Sequence, residues 1–179
     1  FISHLLASYA SNISSTGIYV FGSSESFGPK MTREIFKRRG VDTSVLSQIE
    51  FSQIFSLQDL SVSLERLGAL LATTTENDQT LVVIENVLAM VGKDEWSSKT
   101  MQHLVEIMKS LSRLGCCILI QHNISKSEIS EMRTRLESYW NPMIDVRLYM
   151  NRQLNGDHVI EIIKTRDKVN IEQVYFTIH

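Results

Sequence analysis

Apolar positions along the chain follow two rhythms, short unbroken runs and longer stretches spaced by three or four residues. Phe1, Leu5 and Tyr9 stand at helical spacing and predict an opening helix over Phe1–Ala10. The run Ile18-Tyr-Val-Phe21, bounded by Gly17 and Gly22, predicts a buried strand. A helix is then expected from Pro29 to Arg39. Pro29 suits a first turn, Lys37, Arg38 and Arg39 suit the last turn, and Gly40 is placed to close it. A strand over Ile49–Phe55 leads into a helix over Leu57–Ala72, with Leu60, Leu64, Leu67 and Leu71 on one face. The polar turn Thr73–Gln79 precedes Leu81-Val-Val-Ile84, a strand apolar on both faces.

The next unit repeats this grammar. A helix over Lys99–Leu114 carries Met101, Leu104, Val105, Met108, Leu111 and Leu114 in one stripe, which reads as packing rather than cofactor contact. The strand Cys116–Gln121 follows. Continuous apolar strands alternating with amphipathic helices imply a mostly parallel twisted sheet covered on both sides, so the class is α/β. Beyond the irregular segment His122–Pro142 the pattern changes to close-spaced strands at Ile144–Met150, Val159–Ile163 and Val174–Ile178. Short polar turns between them predict a C-terminal antiparallel extension. No repeat or linker interrupts the chain, so residues 1–179 are expected to form a single domain.

Composition narrows the function classes. The chain has 179 residues, 43% hydrophobic and 21% charged, with 2 prolines and 8 glycines, which fits a folded globular protein and excludes collagen-like or disordered chains. No apolar stretch approaches the roughly 20 residues that span a bilayer, so no membrane partner is expected. With 18 basic and 20 acidic side chains, bulk charge cannot coat nucleic acid, and any such contact must be local. Cys116 and Cys117 are adjacent, a poor geometry for bridging each other, and are expected to be buried reduced thiols. The histidines at 4, 103, 122, 158 and 179 show no ligand spacing, so no metal site is expected. Because helical spacing begins at Phe1 itself, the natural chain is expected to continue upstream.

Several segments, in order and register, carry a resemblance. Ser23-Ser-Glu-Ser-Phe-Gly-Pro-Lys30, Gly40-Val-Asp-Thr-Ser-Val-Leu46, Leu81-Val-Val-Ile-Glu-Asn86 and Ile118-Leu-Ile-Gln-His-Asn123 stand in sequence along the chain. Together they resemble the ATPase core of the RecA/RadA recombinase superfamily, especially the eukaryotic strand-exchange recombinases and their paralogues, from just after the phosphate loop to the last strands. The resemblance implies a RecA-like core. Family members hold ATP in a Gly-rich loop ending Gly-Lys-Thr/Ser, and this chain contains no such motif. Gly92-Lys93-Asp94 has the wrong third residue, and Gly22 to Lys30 has one residue too many. ATP and magnesium would therefore enter only through a phosphate loop upstream of Phe1.

The family's catalytic positions fall on altered residues. Its water-activating glutamate falls on Ser24, with Glu25 one place later on the opposite side of an extended strand. Its magnesium-associated aspartate falls on Glu85, one methylene longer, and its phosphate-sensing glutamine on Asn123, one methylene shorter. Phosphoryl transfer depends chiefly on positioning, so the resemblance implies a relaxed ATPase site rather than a working enzyme.

The family's two DNA-facing loops correspond to Met90–Ser98 and His122–Pro142. The second offers Lys126, Arg133 and Arg135 for single-stranded DNA, beside Tyr139 and Trp140. The competing reading is a solvated helix over Ser127–Ser138 that packs Trp140 on the core. Lys164-Thr-Arg-Asp-Lys-Val-Asn170 stands where relatives reach a neighbouring subunit, so Arg166 and Lys168 are partner-facing or lie in an exposed turn. Lys30, Arg33, Lys37, Arg38 and Arg39 form the densest basic cluster. The preference of helix C-termini for cations explains the last three, and an auxiliary phosphate-binding patch is the alternative.

The resemblance thus implies a non-catalytic, nuclear recombinase paralogue. It would pair with another paralogue and promote or stabilise filaments of the main recombinase on single-stranded DNA during homologous recombination repair. The alternatives are an active RecA-type DNA-dependent ATPase and a RecA-fold scaffold subunit outside recombination.

Overall fold

The computed structural model describes residues 2–12, 17–22, 29–73, 80–90, 98–121, 139–140, 143–152, 158–164 and 173–176. The chain divides into two compact units, Phe1–Ile129 and Ser130–His179. In the first, the order is α1 (Ile2–Asn12), β1 (Ile18–Gly22), α2 (Pro29–Arg38), a 3-10 turn (Thr43–Gln48), β2 (Ile49–Gln53), α3 (Leu57–Thr73), β3 (Leu81–Glu85), a second 3-10 turn (Val87–Met90), α4 (Ser98–Arg113) and β4 (Cys117–Gln121). The four strands form one sheet in the order β2-β1-β3-β4, every pair parallel. This is the expected α/β class, consistent with a RecA-like core.

Burial follows the pleat. Ile18, Val20, Leu81 and Val83 share one face with Leu6 and Ala7 of α1 and Phe36 of α2 in a single apolar cluster. The alternate residues Phe21, Val82 and Ile84 are buried on the opposite face. There α3 and α4 pack on one another, joined through Leu60, Leu64, Leu67, Met101, Leu104, Met108 and Leu111, all buried. Right-handed crossovers require this division, because the chain steps one way from β1 to β2 and the other way from β2 to β3.

Helix ends obey local chemistry. Ser56 caps α3, its Oγ accepting the Asp59 amide at 3.1 Å. Both α2 and α4 close in the same way. The Gly40 amide donates to the Lys37 carbonyl and the Val41 amide to that of Phe36, while the Gly115 amide donates to Ser112 and the Cys116 amide to Leu111. Gly40 and Gly115 take φ of 67° and 88°, the left-handed conformation this closure needs.

Helix α1 adds a polar contact to its core side: among the described positions Ser3, Leu6 and Ala7 are buried, Leu5 and Tyr9 are half-buried, and Ser3 shares a 2.9 Å hydroxyl bond with Thr32 of α2. Two details differ from the sequence expectation. Leu114 is 47% exposed, since it lies past the end of α4. Of the two thiols only Cys116 is buried; Cys117 is exposed, at the start of a strand that forms one margin of the sheet among the described residues.

The second unit contains β5 (Arg147–Arg152), β6 (His158–Lys164) and β7 (Gln173–Phe176), antiparallel in the order β5-β6-β7. These strands are antiparallel as the sequence predicts, and they form a sheet of their own. Trp140 is buried, and its carbonyl accepts hydrogen bonds from the Met143 and Ile144 amides. The helix expected over Ser127–Ser138 lies outside the described residues.

Candidate functional site at the sheet's carboxyl edge

The helix after β1 lies with α1 on one face, and the helix after β3 lies with α3 on the other. The crossovers that follow β1 and β3 therefore run in opposite directions, which makes the carboxyl ends of these two neighbouring strands the topological switch point of the sheet. In open α/β sheets this switch point is where ligands bind.

Parallel register decides which residues meet there. Phe21 pairs with Ile84, and Glu85 pairs with Gln121, so the ends of β1, β3 and β4 stand side by side. Glu85 shares the face of Leu81 and Val83. It is 3% exposed, the one charged side chain buried among the described residues, and its Oε2 has no hydrogen-bond partner among them. Burying a carboxylate oxygen without a partner is costly, and such groups in native proteins commonly serve a ligand or a reaction.

Asn86 turns the chain away at once. It adopts φ of 51°, and its amide donates to the Gln121 carbonyl at 2.8 Å. Asparagine tolerates this conformation better than other non-glycine residues, so the strand ends at Glu85 and the carboxylate stays at the rim. Val87 and Met90 of the following 3-10 turn are buried and hold that exit in place.

Of the sequence-predicted site residues, Glu85 is found at this edge. Ser24 and Glu25 follow Gly22 by two and three positions, and Asn123 follows Gln121 by two. Ser24, Glu25, Asn123, Lys126, Arg133, Arg135, Arg166 and Lys168 lie outside the described residues. Sequence reasoning missed Gln121 and the turn at Asn86; an asparagine directly after an apolar strand is the signal that marks such a turn.

Among the described residues, Glu85 is the carboxylate this edge offers as an oxygen ligand to a cation. Among the described residues no group of three His, Cys, Asp or Glu side chains could hold a metal. Cys116 is a poor nucleophile, because burial, and then the Cys117 thiol beside it, pushes its thiol up from the ordinary value. No described helix is long and apolar enough to cross a membrane. Compared with known proteins, the chain matches no protein-family model and no curated sequence.

Proposed function

We propose that the chain is a non-catalytic paralogue of the strand-exchange recombinases, one that pairs with another paralogue and stabilises filaments of the main recombinase on single-stranded DNA in the nucleus. The observation that carries the reading is Glu85, a lone buried carboxylate at the carboxyl edge of a parallel sheet. Resemblance aligns it with the family's magnesium-associated aspartate, while Ser24 takes the place of the water-activating glutamate. Such an edge can hold a polar ligand without activating water. If ATP and magnesium are held, Glu85 would supply one ligand oxygen to the metal.

A subunit of this kind acts by binding. RecA-type subunits associate head to tail, so one with an altered nucleotide face joins a filament end and shifts filament stability by mass action. Lys126, Arg133 and Arg135 would contact the strand, and Arg166 and Lys168 the partner. Glu85 also favours the second reading, an active ATPase using Glu25 and Glu85, because a buried carboxylate oxygen with no partner among the described residues suits a cation.

The deciding experiment captures a second RecA-like chain on this protein and measures single-strand binding by the pair. Arg133→Glu with Arg135→Glu should weaken that binding, with no ATP turnover above background before or after Glu85→Gln. Turnover abolished by Glu85→Gln would replace this reading with the enzyme. Failure to capture any RecA-like chain would favour a scaffold role outside recombination.

A further inference from the structure

Helix α2 carries an arrangement that its own stability does not explain. Lys30, Arg33, Lys37 and Arg38 are all exposed. Lys30, Arg33 and Lys37 follow one another at three- and four-residue spacing, which places them in one row along the helix, about 10 Å from first to last at 1.5 Å per residue. Thr32 and Phe36 are fully buried on the other side of the helix.

The macrodipole accounts for Lys37 and Arg38, which lie in the last turn. It opposes Lys30 in the first turn, where α2 has no acidic residue at all. Arg39 has a separate use, since its guanidinium donates to the His4 carbonyl at 3.5 Å. Lys30 works against the dipole, and like charges at three- and four-residue spacing repel along the exposed row, a cost that points to a ligand.

Among the described residues flanking α2 in the chain, little neutralises the row. Helix α1, which packs on α2, has no acidic side chain. Between Ile2 and Gln48 the described acids are Glu34 and Asp42. Glu34 reaches Lys37 at 3.7 Å in an exposed pair of the kind that contributes little, and Asp42 accepts the Ser44 amide.

The row also lacks what a protein partner requires. Its members are cations with Glu34 beside them, and Met31, the exposed apolar side chain of α2, lies off the row. Protein interfaces are built on a desolvated apolar centre, whereas phosphates are met by cations alone. No aromatic stands among these cations to stack on bases. We propose that the solvent face of α2 is a sequence-independent contact surface for the phosphate backbone of nucleic acid, with Lys30, Arg33 and Lys37 as its row and Arg38 at its flank. The surface is separate from the sheet edge, and it stands whether or not the chain is a recombinase paralogue.

The test measures anisotropy of a labelled mixed-sequence duplex and of a labelled oligo(dT) strand with the full chain across a salt series. Lys30→Glu, Arg33→Glu and Lys37→Glu together should weaken binding by about tenfold or more at low salt. The reversal should also flatten the slope of log affinity against log salt, by about 2.7 for the duplex or about 2 for the strand if three phosphates are met. A loss confined to one probe names the source of the phosphates. The charge-keeping pair Lys30→Arg and Lys37→Arg should retain binding, and if the reversal variant fails to fold, the triple glutamine variant is read in its place. Unchanged affinity and slope would overturn the proposal. So would an equal loss from Arg66→Glu with Arg113→Glu in the other helical layer. Binding of polyglutamate as tight as that of DNA, lost in the same variants, would overturn it in favour of an acidic protein.

Discussion

The two helical layers on the parallel sheet do the same structural work with different means. On one face, α3 and α4 run for 17 and 16 residues and meet through an unbroken stripe of leucine and methionine. On the other, α1 and α2 are only 11 and 10 residues long and meet partly through the Ser3–Thr32 hydroxyl bond. The long layer buries enough apolar side chain to hold itself together. The short layer depends on a few residues, chiefly Leu6, Ala7 and Phe36, and keeps a cationic outer face. The contrast separates a layer built for cohesion from one whose outer surface is free for recognition.

The sharpest way to break the comparison is to remove one anchor from each layer. Phe36→Ala should cost about 3–5 kcal/mol and Leu104→Ala about 2–5 kcal/mol in urea denaturation, since both side chains are fully buried. A Phe36→Ala cost well below that of Leu104→Ala would mean that the short layer is not held by its core.

Smaller effects are expected where the layers share a device. Gly40→Ala and Gly115→Ala should each cost about 1–2 kcal/mol, because each forces a side chain into the left-handed region. Neither site has an atom within 4 Å of the added carbon, so the cost arises from the backbone alone and should be nearly equal in the two layers. Unequal costs would show that one of the two helix ends relaxes.

The smallest effect distinguishes the layers by pH. Burial, and then the Arg39 guanidinium, holds His4 below the ordinary histidine value of 6.5. The unfolded chain therefore binds that proton more readily than the folded one. His4 contributes stability that is present above pH 6.5 and is lost as pH falls through that value toward the folded pKa. His4→Gln should flatten this part of the stability profile, while His103→Gln in α4, which removes an exposed pair with Glu65 at 2.9 Å, should change stability little.

Much of the parallel sheet was legible in the residues. The run Leu81–Ile84 is apolar on both faces because helices cover both, and Leu60, Leu64 and Leu67 mark the buried side of α3, with Leu71 half-buried near its end. Helix α1 was legible from the spacing of Leu5 and Tyr9, whereas the burial of Ser3 was not, because it depends on Thr32 of α2 standing opposite. The run beginning at Cys116 reads as a fully buried strand, yet Ile118, Leu119 and Ile120 are half-buried at the margin of the described sheet.

Local pattern alone determined the element types, their order and the helix ends, because periodicity, capping residues and glycines act over a few neighbouring positions. Which residues share an edge was decided only by tertiary structure. Glu85 lies 63 positions from Gly22 and 36 from Gln121 in the chain, and it joins their edge through strand pairing that no local signal encodes. The buried carboxylate and the exposed cation row on α2 are likewise properties of packing, since burial and exposure are set by what the fold brings alongside.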